Sequence, residues 1–255
     1  MKLPKRRFVD LHVKSSLSSG KSSPSQIARM ASHLGFKAIG LADFNLQNID
    51  LLPDIRKIFE SYGVDLVARA DLYEQSPKLL KSALRKLRRR VEVIAVYCRN
   101  INVARLAARD RRVDLLIFSA KSWRENFFDK SEAALALSGE SALEVNLIDL
   151  IRARSSSERI QAIRILSENV RMAKRYDLPV IFSSGATSIY EMRAPRELAA
   201  LATLLGLTEY EARESLSKIP LELVLKNREK LSEYYIMPGV RLIRKGEFLG
   251  EKMEK

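Results

Sequence analysis

The sequence predicts an α/β fold, a TIM-like (β/α) barrel of about seven distorted strands with extra C-terminal helices. Three observations predict it. Seven short, near-continuous apolar runs alternate with amphipathic stretches of helical spacing. Strands apolar on both faces and joined by helices belong to parallel sheets covered on each side. The runs recur about every 30 residues, the length of one strand-helix unit, and the 255-residue chain has the size of a one-domain barrel, about 250 residues. A doubly wound open sheet is the alternative, but no glycine-rich phosphate loop follows any strand.

The elements follow in order. Strands are expected at Phe8–Val13, Ala38–Ala42, Leu66–Ala70, Val91–Cys98, Leu115–Ser119, Leu143–Ile148 and Pro179–Ser183. Ser23-Pro24-Ser25-Gln26 opens the first helix with a capping serine and a first-turn proline. Ile27, Met30, Ala31 and Leu34 form its buried stripe. Leu79, Leu80, Ala83, Leu84 and Leu87 do the same for the third helix, and Ile160, Ile163, Leu166, Val170 and Ala173 for the sixth. Gly35 and Gly63 fall where helices stop. Residues 206–225 read as further helices, with Thr208-Glu209-Tyr210-Glu211 as a capping box. The barrel is expected over residues 1–231, and residues 232–255 form a basic extension whose break is Tyr234-Tyr235-Ile236-Met237-Pro238-Gly239. That extension reads either as an edge strand or as a segment that orders on binding.

Lys plus Arg number 45 against 31 Asp plus Glu, a net charge of +14. Such a balance favours a polyanionic partner, nucleic acid or a membrane surface, over a merely solvated face. No apolar run reaches the about 18 residues of a membrane span. The N-terminal Met1-Lys2-Leu3-Pro4-Lys5-Arg6-Arg7 lacks the apolar segment of a signal peptide. The one cysteine, Cys98, lies among apolar strand residues, as a core thiol in a reducing cytoplasm would.

The first strand reads Phe8-Val9-Asp10-Leu11-His12-Val13-Lys14. It resembles the Asp-x-His-x-His opening of the PHP family, barrel phosphoesterases that hold a metal cluster, with Lys14 at the second histidine. The second strand ends Leu41-Ala42-Asp43-Phe44-Asn45, with Phe44 at the family's histidine. The sixth keeps a carboxylate in Leu143-Glu144-Val145-Asn146, whereas the seventh, Phe182-Ser183-Ser184-Gly185-Ala186-Thr187, lacks the family's Asp and His. The chain has two histidines, His12 and His33. Asp10, His12, Asp43 and Glu144 therefore remain as a remnant that only a hard ion such as Mg²⁺ would suit, and Lys14 disfavours even that. The favoured reading pairs Asp43 and Glu144 with Lys14 or with arginines at the barrel mouth. Without a Gly-x-Ser-x-Gly elbow, no catalytic and no metal-ligating residue is assigned.

The stretch Val180-Ile181-Phe182-Ser183-Ser184-Gly185-Ala186, followed by Tyr190-Glu191-Met192-Arg193-Ala194-Pro195-Arg196-Glu197, resembles the archaeal RNase P protein component 3 family, counterpart of the thirty-kilodalton human RNase P subunit. Val113-Asp114-Leu115-Leu116-Ile117-Phe118 and Ser215-Leu216-Ser217-Lys218-Ile219-Pro220 fit it too. The resemblance runs from about Phe8 to Leu231. It implies a PHP-like barrel that is not itself a nuclease, in a ribonucleoprotein that removes 5′ leaders from precursor tRNA. In that family the RNA subunit cleaves with Mg²⁺. The protein pairs with RNase P protein component 2, works with the other protein components, and supports the RNA.

Basic clusters precede several strands: Lys5-Arg6-Arg7, Arg85-Lys86-Leu87-Arg88-Arg89-Arg90, Arg109-Asp110-Arg111-Arg112 and Lys174-Arg175. Others follow strands: Lys14, Arg99, Lys121, Arg124, Arg152, Arg154, Arg193 and Arg196. Both barrel rims are thus expected to be cationic, with Lys14, Arg89, Arg105, Arg112, Lys121, Arg124, Arg152, Arg193 and Arg196 as the candidate RNA contacts. An ammonium at Lys14, where a metal ligand stands in the PHP family, suits phosphate by charge alone. Aromatic residues are sparse, at 7%, so phosphate and shape rather than base stacking should dominate. Trp123, Phe127 and Phe128 are expected to pack on the barrel mouth, with RNA stacking or a protein partner as the alternative. The competing functional readings are a residual PHP-type phosphoesterase and a scaffold of another ribonucleoprotein.

Overall fold

The computed structural model describes residues 6–237 and 240–241. Seven parallel strands run in sequence order: Val9–Val13 (β1), Ala38–Leu41 (β2), Asp65–Leu72 (β3), Val93–Tyr97 (β4), Leu115–Ile117 (β5), Ala142–Asn146 (β6) and Val180–Ser183 (β7). The helices between them are Pro24–Leu34 (α1), Leu52–Ser61 (α2), Pro77–Leu87 (α3), Ile101–Arg109 (α4), Lys130–Gly139 (α5), Ile148–Ile151 (α6) and Ser156–Arg175 (α7). Pro195–Leu204 (α8), Glu209–Glu214 (α9) and Lys218–Leu231 (α10) follow the last strand. A separate hairpin pairs Tyr235–Met237 (β8) with Val240–Arg241 (β9), so the start of the extension is an isolated antiparallel ribbon and not an edge of the main sheet. The rest of the expected extension lies outside the described residues.

Local chemistry explains the element ends. At α1 the Ser23 hydroxyl accepts from the Gln26 amide and the Gln26 side chain accepts from the Ser23 amide, with Pro24 in the first turn. Gly35, at φ +87°, ends that helix in the left-handed region. Thr208 and Glu211 make the same reciprocal cap on α9. On α3 the buried face is Leu80, Leu84 and Leu87, each contributing about 1.5–3 kcal/mol of burial. Leu79 was expected in that stripe but is 53% exposed, being a residue out of phase with it, and Ile160 on α7 is likewise half-exposed.

Seven strands come close to closing a barrel, and the seam between β1 and β7 is mended by other backbone. At the C-terminal end Val13 bridges Ala186, and the Lys14 amide donates to the Ala186 carbonyl at 2.9 Å. At the N-terminal end the Val9 amide donates to Leu216 O and the Phe182 amide to Ser215 O. The turn between α9 and α10 thus satisfies the edge groups that direct pairing leaves over.

The interior has two levels. Val9, Leu11, Val67, Val93, Leu115 and Ile181 form an apolar lower level, against which Ile219, Leu221 and Val224 of α10 pack. Helix α10 also caps that end electrostatically. Arg228 donates to Glu92 and to both Asp65 oxygens at 2.6–2.9 Å, and the Asn227 amide donates to Asp114. The upper level, toward the C-terminal ends of the strands, is polar. Cys98 is buried, its thiol directed at the Val96 carbonyl, and burial pushes its pKa up. Among the described residues no helix is long and apolar enough to cross a membrane.

Candidate nucleic-acid interface

The upper level is organised around Arg69, whose side chain is fully buried. Alternation along β3 points Val67, Arg69 and Asp71 inward, and Glu144 faces them from β6. The Arg69 guanidinium donates to both Glu144 oxygens, each at 2.7 Å, and to Asp71 Oδ1 at 2.7 Å. It also donates to the Leu11 carbonyl at 3.0 Å and lies 3.1 Å from His12 Nδ1. His12 Nε2 is 3.2 Å from Asp71 Oδ2. Lys14 donates to the Tyr73 hydroxyl at 2.5 Å, sits 3.7 Å from Asp71, and lies over the Tyr73 ring, which stacks on Tyr97 at 4.3 Å.

Charges buried this deeply persist only when paired and hydrogen-bonded. Burial alone would raise the Glu144 pKa, but the Arg69 and His12 charges hold it down at about 2, and Asp71 is held well below the carboxylate range by the same neighbours. For His12, burial and Arg69 oppose protonation, while Asp71 and Glu144 favour it more strongly, so its pKa is raised. Asp10 is raised by burial; its Oδ1 accepts from the His12 and Ser184 amides, and its Oδ2 has no hydrogen-bond partner among the described residues.

This donor set does not fit a PHP-type metal cluster. The fork of Arg69 covers both Glu144 oxygens, and the Lys14 ammonium stands over Asp71. Phe44, at the family's histidine position, is buried in the core. The Ser184 hydroxyl, where β7 would supply a ligand, donates to the His12 carbonyl. The expected pairing of Glu144 with an arginine is therefore present, through a strand residue rather than a rim arginine. The expected pairing of Asp43 is absent among the described residues: it accepts from the Ser15 amide at 2.8 Å and from the Ser18 hydroxyl, without a cation in ion-pair distance. Burial raises its pKa.

The expected RNA-contacting residues fall into separate groups. Lys14, Lys121 and Arg152 line one cavity of about 540 Å³ at the C-terminal mouth. Arg124 is exposed on the loop just beyond Lys121, beside Trp123, which is 51% exposed and not packed as expected; Phe128 is buried against Phe118. Arg196 lines a groove along α8 with Arg6 and Arg213. Arg193 donates to the Tyr190 and Met192 carbonyls. Several candidates are engaged within the protein: Arg105 with Asp129 and Glu132, Arg112 with Asp110, and Arg152 with Glu191.

Arg89 and Arg112 sit at the opposite, N-terminal end, where much of the expected positive rim is neutralised. Arg88 binds Asp114 and the carbonyls of Arg112, Val91 and Glu92, Lys174 pairs with Glu211, and α10 covers the barrel floor. Among the described residues Arg89, Lys121, Arg124 and Arg196 have no ion-pair partner. Unpaired cations thus meet a cavity at the C-terminal mouth, through Lys121, and in the α8 groove, through Arg196. Sequence reasoning missed Arg69 and Asp71; the inward alternation of a basic and an acidic residue on one strand was the available signal.

Comparison with known proteins agrees with this geometry. Residues 7–232 match the family described as RNase P subunit p30. Ribonuclease P protein component 3 of Methanosarcina acetivorans is 31% identical over 243 residues, covering 95% of each chain. A chain from a structure of archaeal ribonuclease P with mature tRNA superposes with a TM-score of 0.80 at 20% identity, covering 93% of this chain and 98% of that one. A histidinol phosphate phosphatase from Lactococcus lactis, solved with zinc, L-histidinol and phosphate, shares the barrel more distantly, with a TM-score of 0.55 at 12% identity over 79% of this chain and 95% of its own. The matched span runs from β1 to the end of α10, taking in the whole barrel, its guanidinium-filled interior and the helix that closes its floor: the chain belongs to the RNase P subunit p30 family.

Proposed function

We infer that this chain is a protein subunit of ribonuclease P, binding and supporting the catalytic RNA in removal of the 5′ leader from precursor tRNA. The observation that carries the reading is the family match over residues 7–232, on a barrel whose interior holds Arg69 between Glu144 and Asp71. The chain supplies no nucleophile and holds no metal of its own; Mg²⁺ serves the RNA. Its partners are the RNase P RNA, protein component 2, the other protein components and precursor tRNA, in the cytoplasm. A relative named ribonuclease P protein component 3 and a matching chain in an archaeal ribonuclease P structure with mature tRNA support RNA and protein partners.

The unpaired cations suit the phosphate backbone. Each Lys or Arg placed on a phosphate releases counterions, so affinity falls with salt, and guanidinium forks match phosphate oxygens bidentately. The phosphoesterase reading is disfavoured by Arg69 and Lys14, which stand among the carboxylates a metal would need.

The test is precursor-tRNA cleavage at limiting Mg²⁺ with RNase P RNA and the other proteins, with and without this chain, and with a control lacking RNA. Rescue that needs both the RNA and the chain is expected. Cleavage by the chain without RNA would overturn the reading.

A further inference from the structure

The cavity at the C-terminal mouth lies directly above the Arg69 level, and its volume of about 540 Å³ is within the range of small-ligand sites, about 300–1,000 Å³. Its electrostatics select the kind of ligand. Beneath it, Glu144 and Asp71 are neutralised by Arg69, His12 and Lys14, so the floor does not draw a cation. On the wall, Arg152 is tied to Glu191, but Arg99 and Lys121 are exposed and have no ion pair among the described residues. Arg99 lies over the Tyr73 ring, 5.1 Å from its centroid, which orients the guanidinium without neutralising it. Two acids share that wall, Glu125, which accepts from the Ser119 hydroxyl, and Asp149, whose pKa burial raises against the Lys121 and Arg152 charges; Arg99, Lys121 and Arg152 outnumber them.

A second feature points to more than a bare anion. Asn146, from the end of β6, lines the cavity with a buried Oδ1 that has no hydrogen-bond partner among the described residues, and a buried polar atom left open is costly unless a ligand or water completes it. Gly185 keeps it reachable. Its φ is +67°, and a Cβ there would stand 3.3 Å from Asn146 Oδ1 and 3.0 Å from the Ile148 side chain.

We propose that this cavity seats one nucleotide of an RNA strand, its phosphate on Arg99 and Lys121 and a sugar hydroxyl or base amino group on Asn146. The proposal rests on the ribonuclease P reading and names where on the barrel one nucleotide docks. A phosphate ester is the shared chemistry of an RNA nucleotide and a free mononucleotide, and the probes separate them.

The test titrates the full chain with a short oligoadenylate, with AMP and with inorganic phosphate at low salt, by calorimetry. The oligomer should bind, and Arg99→Ala with Lys121→Ala should weaken it about tenfold or more, about 1.4 kcal/mol. Asn146→Asp keeps the side-chain shape while placing a carboxylate at the floor, so it should also weaken the oligomer, with an unchanged unfolding midpoint for both variants. No oligomer binding by the wild type, or equal binding by the variants, overturns the proposal. AMP or phosphate binding as tightly as the oligomer overturns the RNA assignment. The ribonuclease P reading fails separately: it falls if the wild-type chain gives no RNA-dependent rescue of precursor-tRNA cleavage, whatever the oligomer does.

Discussion

Arg69 of β3 and Glu144 of β6 meet across the barrel interior, guanidinium to carboxylate, through two hydrogen bonds of 2.7 Å, and neither side chain is exposed to solvent. Removing one member of such a pair strands the other. Arg69→Ala should therefore destabilise the chain by about 3–5 kcal/mol in denaturant unfolding. Arg69→Lys should recover little of it, because an ammonium cannot span both Glu144 oxygens and Asp71. A loss below 1 kcal/mol for Arg69→Ala, on the scale of an exposed pair, would show that the interior relaxes around the vacancy.

The same pair fixes the acid limb of stability. Glu144 titrates at about 2 in the folded chain, below an unfolded carboxyl. A depressed acid stabilises above its unfolded pKa, and that contribution is lost as pH falls from about 4.5 toward about 2. The window of about 2.5 units corresponds to about 3 kcal/mol. Asp71 works in the same direction. His12 works oppositely, its raised pKa contributing stability below about 6.5 that is lost as pH rises through the folded value. Glu144→Gln should flatten the slope between pH 4.5 and 3 in a denaturant series; an unchanged slope would assign the acid limb to other carboxyls.

Metal content follows from the same geometry. With Arg69 and Lys14 holding Glu144 and Asp71, purified protein should contain no stoichiometric zinc, manganese or iron by mass spectrometry, and EDTA should leave its melting temperature unchanged. One equivalent of any of these metals would contradict the assignment of Arg69 as the resident cation.

What the sequence disclosed and what it concealed divide along physical lines. The seven strands were legible because apolar runs and helical stripes are local patterns, and Lys14 and Phe44 stood out as departures from a family motif. Arg69 was harder to place: Asp71, two residues on, shares its inward face, but its other partner, Glu144, lies 75 residues away. The state of the rim arginines was hidden for the same reason. Arg152 and Arg196 look alike in sequence, yet Arg152 is neutralised by Glu191, 39 residues on, and Arg196 is not. Nor does any local signal announce that the turn at Ser215 and Leu216 fills the seam between β1 and β7.

That last contrast gives a test of which cations meet RNA. Arg196 lines the α8 groove between two arginines that are already engaged, Arg6 with Glu214 at 3.0 Å and Arg213 with Glu209. Its own charge has no counterpart among the described residues, so in the assembled particle a phosphate is its natural partner. Arg112, by contrast, is held by Asp110 at 2.6 Å and 2.9 Å, and that carboxyl is pulled below its ordinary pKa by the guanidinium. Arg196→Ala should weaken binding to RNase P RNA and reduce the slope of log affinity against log salt by about 1, the loss of one phosphate contact. Arg112→Ala should leave that slope unaltered, because a guanidinium already held by Asp110 makes no phosphate contact to lose. Equal slopes for the two variants would mean that RNA displaces Asp110 or never reaches Arg196. The wild-type slope separates those outcomes: both variants fall below it by about 1 in the first case, and both match it in the second.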